Sequence, residues 1–126
     1  MKTALHLKPT EMDVYRRAAS IPKKRLGSEL RLRRLRAWRV ARKAAKILKT
    51  EFDAKKVLAF GSLLYPSLFH AKSDIDLAVW GVDDKKYYRA VSVLLDIDPT
   101  ISVDLISIED ARPALKKVIE AEGREL

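Results

Sequence analysis

Apolar positions along this chain follow two periods, one helical and one extended. Ala37, Val40, Ala41, Ala44, Ile47 and Leu48 fall on one arc of a helix at about 100° per residue. Arg36, Arg39, Arg42, Lys43, Lys46 and Lys49 fall on the opposite arc. This predicts a long amphipathic helix over 28–52, with Ser28 as its N-cap. Shorter apolar runs then alternate with turn residues. Val57-Leu58-Ala59-Phe60 reads as a buried strand stopped by Gly61, and Ile75 to Trp80 as a second strand stopped by Gly81. Ile101 to Ile106 reads as a third. Between the last two strands, Asp83 or Asp84 caps a helix that runs to Leu95 through Tyr87, Tyr88, Val91 and Leu94. Ser107-Ile108-Glu109-Asp110 resembles a further helix start, leading to about Glu122, with Gly123 as the stop.

Upstream of the long helix the pattern is weaker. Residues 1–9 read as irregular. Thr10 and Asp13 open a short helix over about 11–20, and Pro22 and Gly27 punctuate the chain between the two helices. The expected division is an N-terminal extension, 1–27, and one domain, 28–126, that includes the basic helix. The order helix, strand, connector, strand, helix, strand, helix predicts an α/β (α+β) fold, a small mixed sheet covered by helices.

Composition narrows the classes. At 126 residues the chain suits one core. It contains no cysteine, which excludes disulfides and cysteine-based metal centres. No signal peptide and no apolar run near the roughly 20 residues of a membrane span is visible, so a soluble, cytoplasmic protein is expected. The net charge of +9 is unevenly placed. Residues 1–49 carry 16 basic and 3 acidic side chains, whereas 50–126 carry 10 and 14. The basic N-terminal third suits an anionic partner or a well-solvated surface.

The candidate chemistry lies on the predicted strands. In Ser73-Asp74-Ile75-Asp76-Leu77-Ala78-Val79-Trp80, alternation puts Asp74 and Asp76 on one face and Ile75, Leu77 and Val79 on the other. Two carboxylates about 7 Å apart in an otherwise apolar strand repel one another, and a cation compensates. Mg²⁺ fits, because it takes one or two carboxylates together with phosphate oxygens. Asp104, in Val103-Asp104-Leu105, stands beside them if the second and third strands pair. Three carboxylates of this kind suit two divalent ions. Asp96 and Asp98 have the same spacing but adjoin Pro99 and read as a turn. Phe60-Gly61-Ser62 follows a strand where glycine permits close backbone approach to a ligand. Neither glycine-rich phosphate loop, G-x-G-x-x-G nor G-x-x-x-x-G-K-[ST], is present.

Together, Gly61-Ser62, Ser73-Asp74-Ile75-Asp76-Leu77 and Val103-Asp104-Leu105 resemble the DNA polymerase β-like nucleotidyltransferase superfamily, and the short length resembles its minimal nucleotidyltransferase branch. The resemblance covers about residues 55–107. It implies that Gly61 and Ser62, with Ser73, bind a nucleoside triphosphate. It implies that Asp74, Asp76 and Asp104 bind Mg²⁺, two ions in all, and that Asp104 helps activate an acceptor hydroxyl. The implied reaction moves AMP from ATP to that hydroxyl. In the toxin–antitoxin pairs of this branch the acceptor is a tyrosine of a helical HEPN toxin, and the nucleotidyltransferase is the antitoxin.

One departure stands out. Family members often carry Arg or Gly just after Gly-Ser, but here Leu63 to Lys72 is largely apolar, which weakens nucleotide binding or forms an interface. His70 reads as a solvated loop residue and Trp38 as core, with a partner anchor as its alternative. Three other readings stay open. One is a binding module that neutralises a partner by contact alone. Another is a nucleic-acid-directed protein using the basic helix. The third is a transferase acting on a small molecule. In a domain this short, a partner or a second copy of the chain would complete the acceptor site.

Overall fold

The computed structural model describes residues 23–126, with side chains from Gly27 onward. The short helix predicted over 11–20, and most of the 1–27 extension, lie outside the described residues. Helix α1 spans Lys23–Glu51. It begins five residues before the predicted start and runs through Gly27, where a Cβ would meet nothing within 4 Å. One glycine costs a helix about 1 kcal/mol, and the flanking lysines, arginine and leucine are good helix formers. At the other end Asp53 turns left-handed, φ 56, and the Ala54 N–H donates to the Leu48 carbonyl at 3.0 Å. A left-handed residue just past the last turn is how many helices end.

The strands are β1 (Lys56–Phe60), β2 (Ile75–Trp80), β3 (Val103–Ser107) and β4 (Arg124–Glu125). Helix α2 spans Asp84–Leu95 and α3 spans Pro113–Glu122. The sheet order is β3-β2-β1-β4. β1 pairs antiparallel with β2 and with β4, and β2 pairs parallel with β3, so the sheet is mixed as expected. The parallel pair needs a crossover, which α2 supplies.

Alternation divides the sheet between two cores. Val57, Ala59, Ile75, Leu77, Val79, Val103 and Leu105 face α1 and α2, meeting Ala41, Ala44, Leu48, Ala90 and Leu94. Leu58, Phe60 and Ala78 face the other way and pack with Ile108 and Ile119. The alanines of α1 are buried and let that helix lie close to the sheet. Trp38 is core as read, only 6 % exposed.

Two elements differ from the sequence reading. The last helix starts at Pro113, not at Ser107, and Ile108–Asp110 is a single 3₁₀ turn. Proline forces the preceding Arg112 into extended backbone (φ −62, ψ 147). It then suits the first helical position, where its missing N–H is not needed. β4 was not foreseen. Gly123 ends α3 as predicted, but the chain then adds two residues to the edge of β1, and a Cβ at Gly123 would lie 2.9 Å from Leu58 Cδ1.

Candidate functional site

Asp76 and Asp104 are directly opposed across the parallel β2–β3 pair, so their side chains leave the same sheet face about 4.8 Å apart at the backbone. Asp74 immediately precedes β2, in phase with Asp76. Asp74 and Asp76 are half-buried, and Asp104 is exposed. The face they share is the one that α3 covers further along the strands, where Leu58, Ala78 and Ile106 replace them. The acids therefore sit where the apolar cover of that face stops.

Gly61 closes the other side of this group. Phe60 pairs with Asp76, so the 3₁₀ turn Gly61–Leu64 starts against the same carboxylate. Gly61 has φ +76, and a Cβ there would collide with Asp76 Oδ2. The φ favours glycine, and any side chain there would push the Asp76 carboxylate aside. Ser62 follows, half-buried, and its carbonyl accepts from the Tyr65 N–H at 3.1 Å. Ser73 is placed differently. It is buried, its Oγ accepts from the His70 N–H at 2.9 Å, and its own N–H donates to the His70 carbonyl. In this state its hydroxyl shapes the turn that delivers Asp74. His70 Nδ1 in turn accepts from the Lys72 N–H at 3.2 Å.

The loop after Ser62 loses much of its oddity. Leu63 is fully buried and Phe69 is 4 % exposed, both in the main core. Their apolarity serves packing, while Tyr65 and Leu68 remain partly exposed.

A cavity of about 460 Å³ opens beside Asp104, lined also by Asp84, Tyr87, Tyr88 and Asp110. The sequence did not mark these residues, because they come from α2, β3 and the turn after β3 and converge only in space. Tyr87 donates its hydroxyl to the Leu105 carbonyl, so it covers part of the open edge of β3. Burial pushes the Tyr87 phenol above its ordinary pKa, and the charges of Asp104, Tyr88 and Asp110 add to the effect. Tyr88 rests edge-on against it, ring centroids 5.4 Å apart, and is 81 % exposed. Across the far end of β2, Glu109 accepts from the Gly81 N–H and the Ser107 hydroxyl at 3.0 Å each. Burial raises its pKa, but these bonds and a charge on Lys116 outweigh it and hold the carboxyl below the ordinary value.

Among the described residues, no three His, Cys, Asp or Glu side chains form a ready-made metal cage. An open pair of strand carboxylates against a glycine suits an ion that arrives with a triphosphate, because Mg²⁺ relies on phosphate oxygens and waters for most of its shell.

A family model described as polymerase beta, nucleotidyltransferase matches residues 42–126. No curated protein sequence matches the chain. Several solved structures share its fold. One, a toxin–antitoxin with AMP-PNP, aligns at TM-score 0.55 and 22 % identity, over 66 % of this chain and 69 % of that one. A mutant of the toxin–antitoxin MntA–HpeT aligns at 0.56 and 21 %, over 68 % and 70 %. A third describes a tri-AMPylated Shewanella oneidensis HEPN toxin in complex with MNT antitoxin, and aligns at 0.53 and 20 %, over 71 % and 70 %.

Proposed function

The chain belongs to the polymerase β nucleotidyltransferase family, and from that premise we propose that it moves AMP from ATP to a tyrosine hydroxyl of a helical, HEPN-type partner, as the antitoxin of the pair. The observation that carries this reading is the opposition of Asp76 and Asp104 next to Gly61. It puts two carboxylates and a close-approach glycine at one end of one sheet. Asp74, Asp76 and Asp104 are the residues that would hold Mg²⁺, which when bound neutralises triphosphate charge. Gly61 makes room for the Asp76 carboxylate, and Ser62 offers the phosphates a hydroxyl. Asp104, exposed on the wall of the 460 Å³ cavity, faces the side from which an acceptor can enter and orients its hydroxyl. The acceptor oxygen bonds to the α-phosphorus, the bond to pyrophosphate breaks, and the phenolic proton passes to Asp104 or solvent. Positioning and charge complementarity supply most of the rate.

The solved neighbours support the partner class, since they are toxin–antitoxin structures and one is described as a HEPN toxin in complex with MNT antitoxin. The outer face of α1 supports a protein over a nucleic acid. Leu32 and Leu35 are 65 % and 52 % exposed between Arg31 and Arg39, an apolar centre with a basic rim. The contact-only reading was motivated by the apolar loop, and burial of Leu63 and Phe69 removes much of that motive.

The test is transfer of α-labelled ATP, with Mg²⁺, to the helical protein encoded alongside, comparing wild type with Asp76→Asn. We expect label on the partner, reduced at least ~10²-fold in the variant, with the variant's circular dichroism unchanged. An unlabelled partner that is nonetheless bound and silenced would replace this reading with the contact-only one.

A further inference from the structure

Three arginines of α1, half-buried Arg33 and Arg34 and exposed Arg36, reach from the helix to the domain beneath it. Arg33 Nη2 donates to the Thr100 carbonyl at 3.1 Å, Arg34 Nε to the Leu63 carbonyl at 3.0 Å, and Arg36 Nε to Asp98 Oδ2 at 2.5 Å. Their targets are not scattered. Leu63 belongs to the turn that begins with Gly61 and Ser62. Asp98 and Thr100 form the turn that leads into β3, the strand of Asp104. Asp98 is 7 % exposed and accepts through Oδ1 from the Thr100 N–H and hydroxyl, at 2.9 and 2.7 Å. One helix thus grips both segments that meet Asp76.

The grip on Leu63 acts where local structure is weak. A four-residue 3₁₀ turn has poor hydrogen-bond geometry of its own. Arg34 is also held in place, because its guanidinium lies 6.0 Å from the Trp38 ring, with Arg42 and Arg124 around the same ring at 5.8 and 4.9 Å. A planar, pre-ordered guanidinium loses less entropy when it bonds than a free side chain does. All three arginines precede residue 42, where the family match begins, so the contacts come from a part of the chain that the family pattern does not describe.

We infer that Arg34 and Arg36 are positioning residues: Arg34 holds the Gly61–Ser62 turn for nucleotide, and Arg36, through Asp98 and Thr100, holds the strand of Asp104 for the acceptor step. This rests on the reading that the site binds ATP and transfers from it. The two arginines then act on different kinetic parameters, which a general loss of stability would not do.

The experiment uses the full chain as wild type, Arg34→Ala, Arg36→Ala, Arg36→Lys and the exposed control Lys117→Ala. It measures ATP binding with Mg²⁺ by calorimetry, transfer kinetics, and backbone hydrogen exchange over 61–65 and 102–107. Arg34→Ala is expected to weaken ATP binding about tenfold with kcat within about twofold, and to speed exchange over 61–65. Arg36→Ala is expected to lower kcat about tenfold with ATP binding unchanged, to speed exchange over 102–107, and to be largely rescued by Arg36→Lys. Lys117→Ala should match wild type. The inference is overturned if both variants lose binding and kcat together in step with lost folded fraction, or if neither changes exchange in its own segment. If wild type binds no nucleotide, the functional reading fails, and the exchange data alone still decide whether the arginines hold these segments.

Discussion

Gly61 is the residue at which local and distant structure make the same demand. Its φ of +76 disfavours any side chain, and a Cβ would clash with Asp76 Oδ2. Gly61→Ala should destabilise the fold by about 1–3 kcal/mol and displace Asp76, so transfer should fall further than thermal stability does. Paired denaturation and transfer assays would show this. Asp98 makes a second residue-scale case. Its carboxyl is held at about 2, first by the Thr100 hydroxyl, then by the Thr100 N–H and the Arg36 guanidinium. A folded-state pKa below the unfolded one stabilises the fold above the unfolded value and loses that contribution as pH falls through the folded value. Stability should therefore drop between about pH 4 and about pH 2, and Thr100→Val should move the Asp98 titration, followed by carboxyl NMR, back toward ordinary aspartate.

At the scale of elements, β3 and its neighbours carry the informative contrasts. β3 lies at the sheet edge, and an open edge invites pairing with another chain. Tyr87 covers part of it by bonding to the Leu105 carbonyl. Tyr87→Phe should cost about 1 kcal/mol in urea denaturation and raise exchange along β3. The acid spacing on β2 was legible because side chains on a strand alternate, but Asp96 and Asp98 share that spacing, and Asp104 joins Asp76 only through the pairing of β2 with β3. The start of α3 was misread because Ser107 to Asp110 imitates a cap, while Pro113 forbids the residue before it from being helical. β4 escaped because two polar residues carry no period. Their pairing with β1 is set by where α3 ends.

For the whole molecule, α1 decides more than its charge suggested. Its basic outer arc looked like a surface for partners, yet Arg36 of that arc, with Arg33 and Arg34 nearer the buried side, is committed to the domain. Its buried arc also extends beyond the family match: Ala37, Trp38, Val40 and Ala41 are all in the main core. Burying Trp38 and Val40 alone contributes roughly 3–6 kcal/mol, comparable with the total stability of a small domain. A chain truncated to residues 42–126 should therefore lose its cooperative unfolding transition, as followed by circular dichroism and calorimetry, although it retains every residue the family pattern covers. No described helix is long and apolar enough to cross a membrane.

The amino-acid sequence by itself determined most of the element types and the division of each strand into two faces. Those features depend on neighbours a few residues away, so period and turn chemistry suffice to read them. Tertiary structure alone decided that Asp76 opposes Asp104 in register, that Leu63 and Phe69 leave the loop for the core, and that Asp98, in its turn, is buried as an anchor for Arg36. It also decided that Tyr87, Tyr88, Asp84 and Asp110 gather beside Asp104. Each of these depends on contacts between residues far apart in the chain, where the sheet pairing and the seat of α1 choose the partner and no local pattern can.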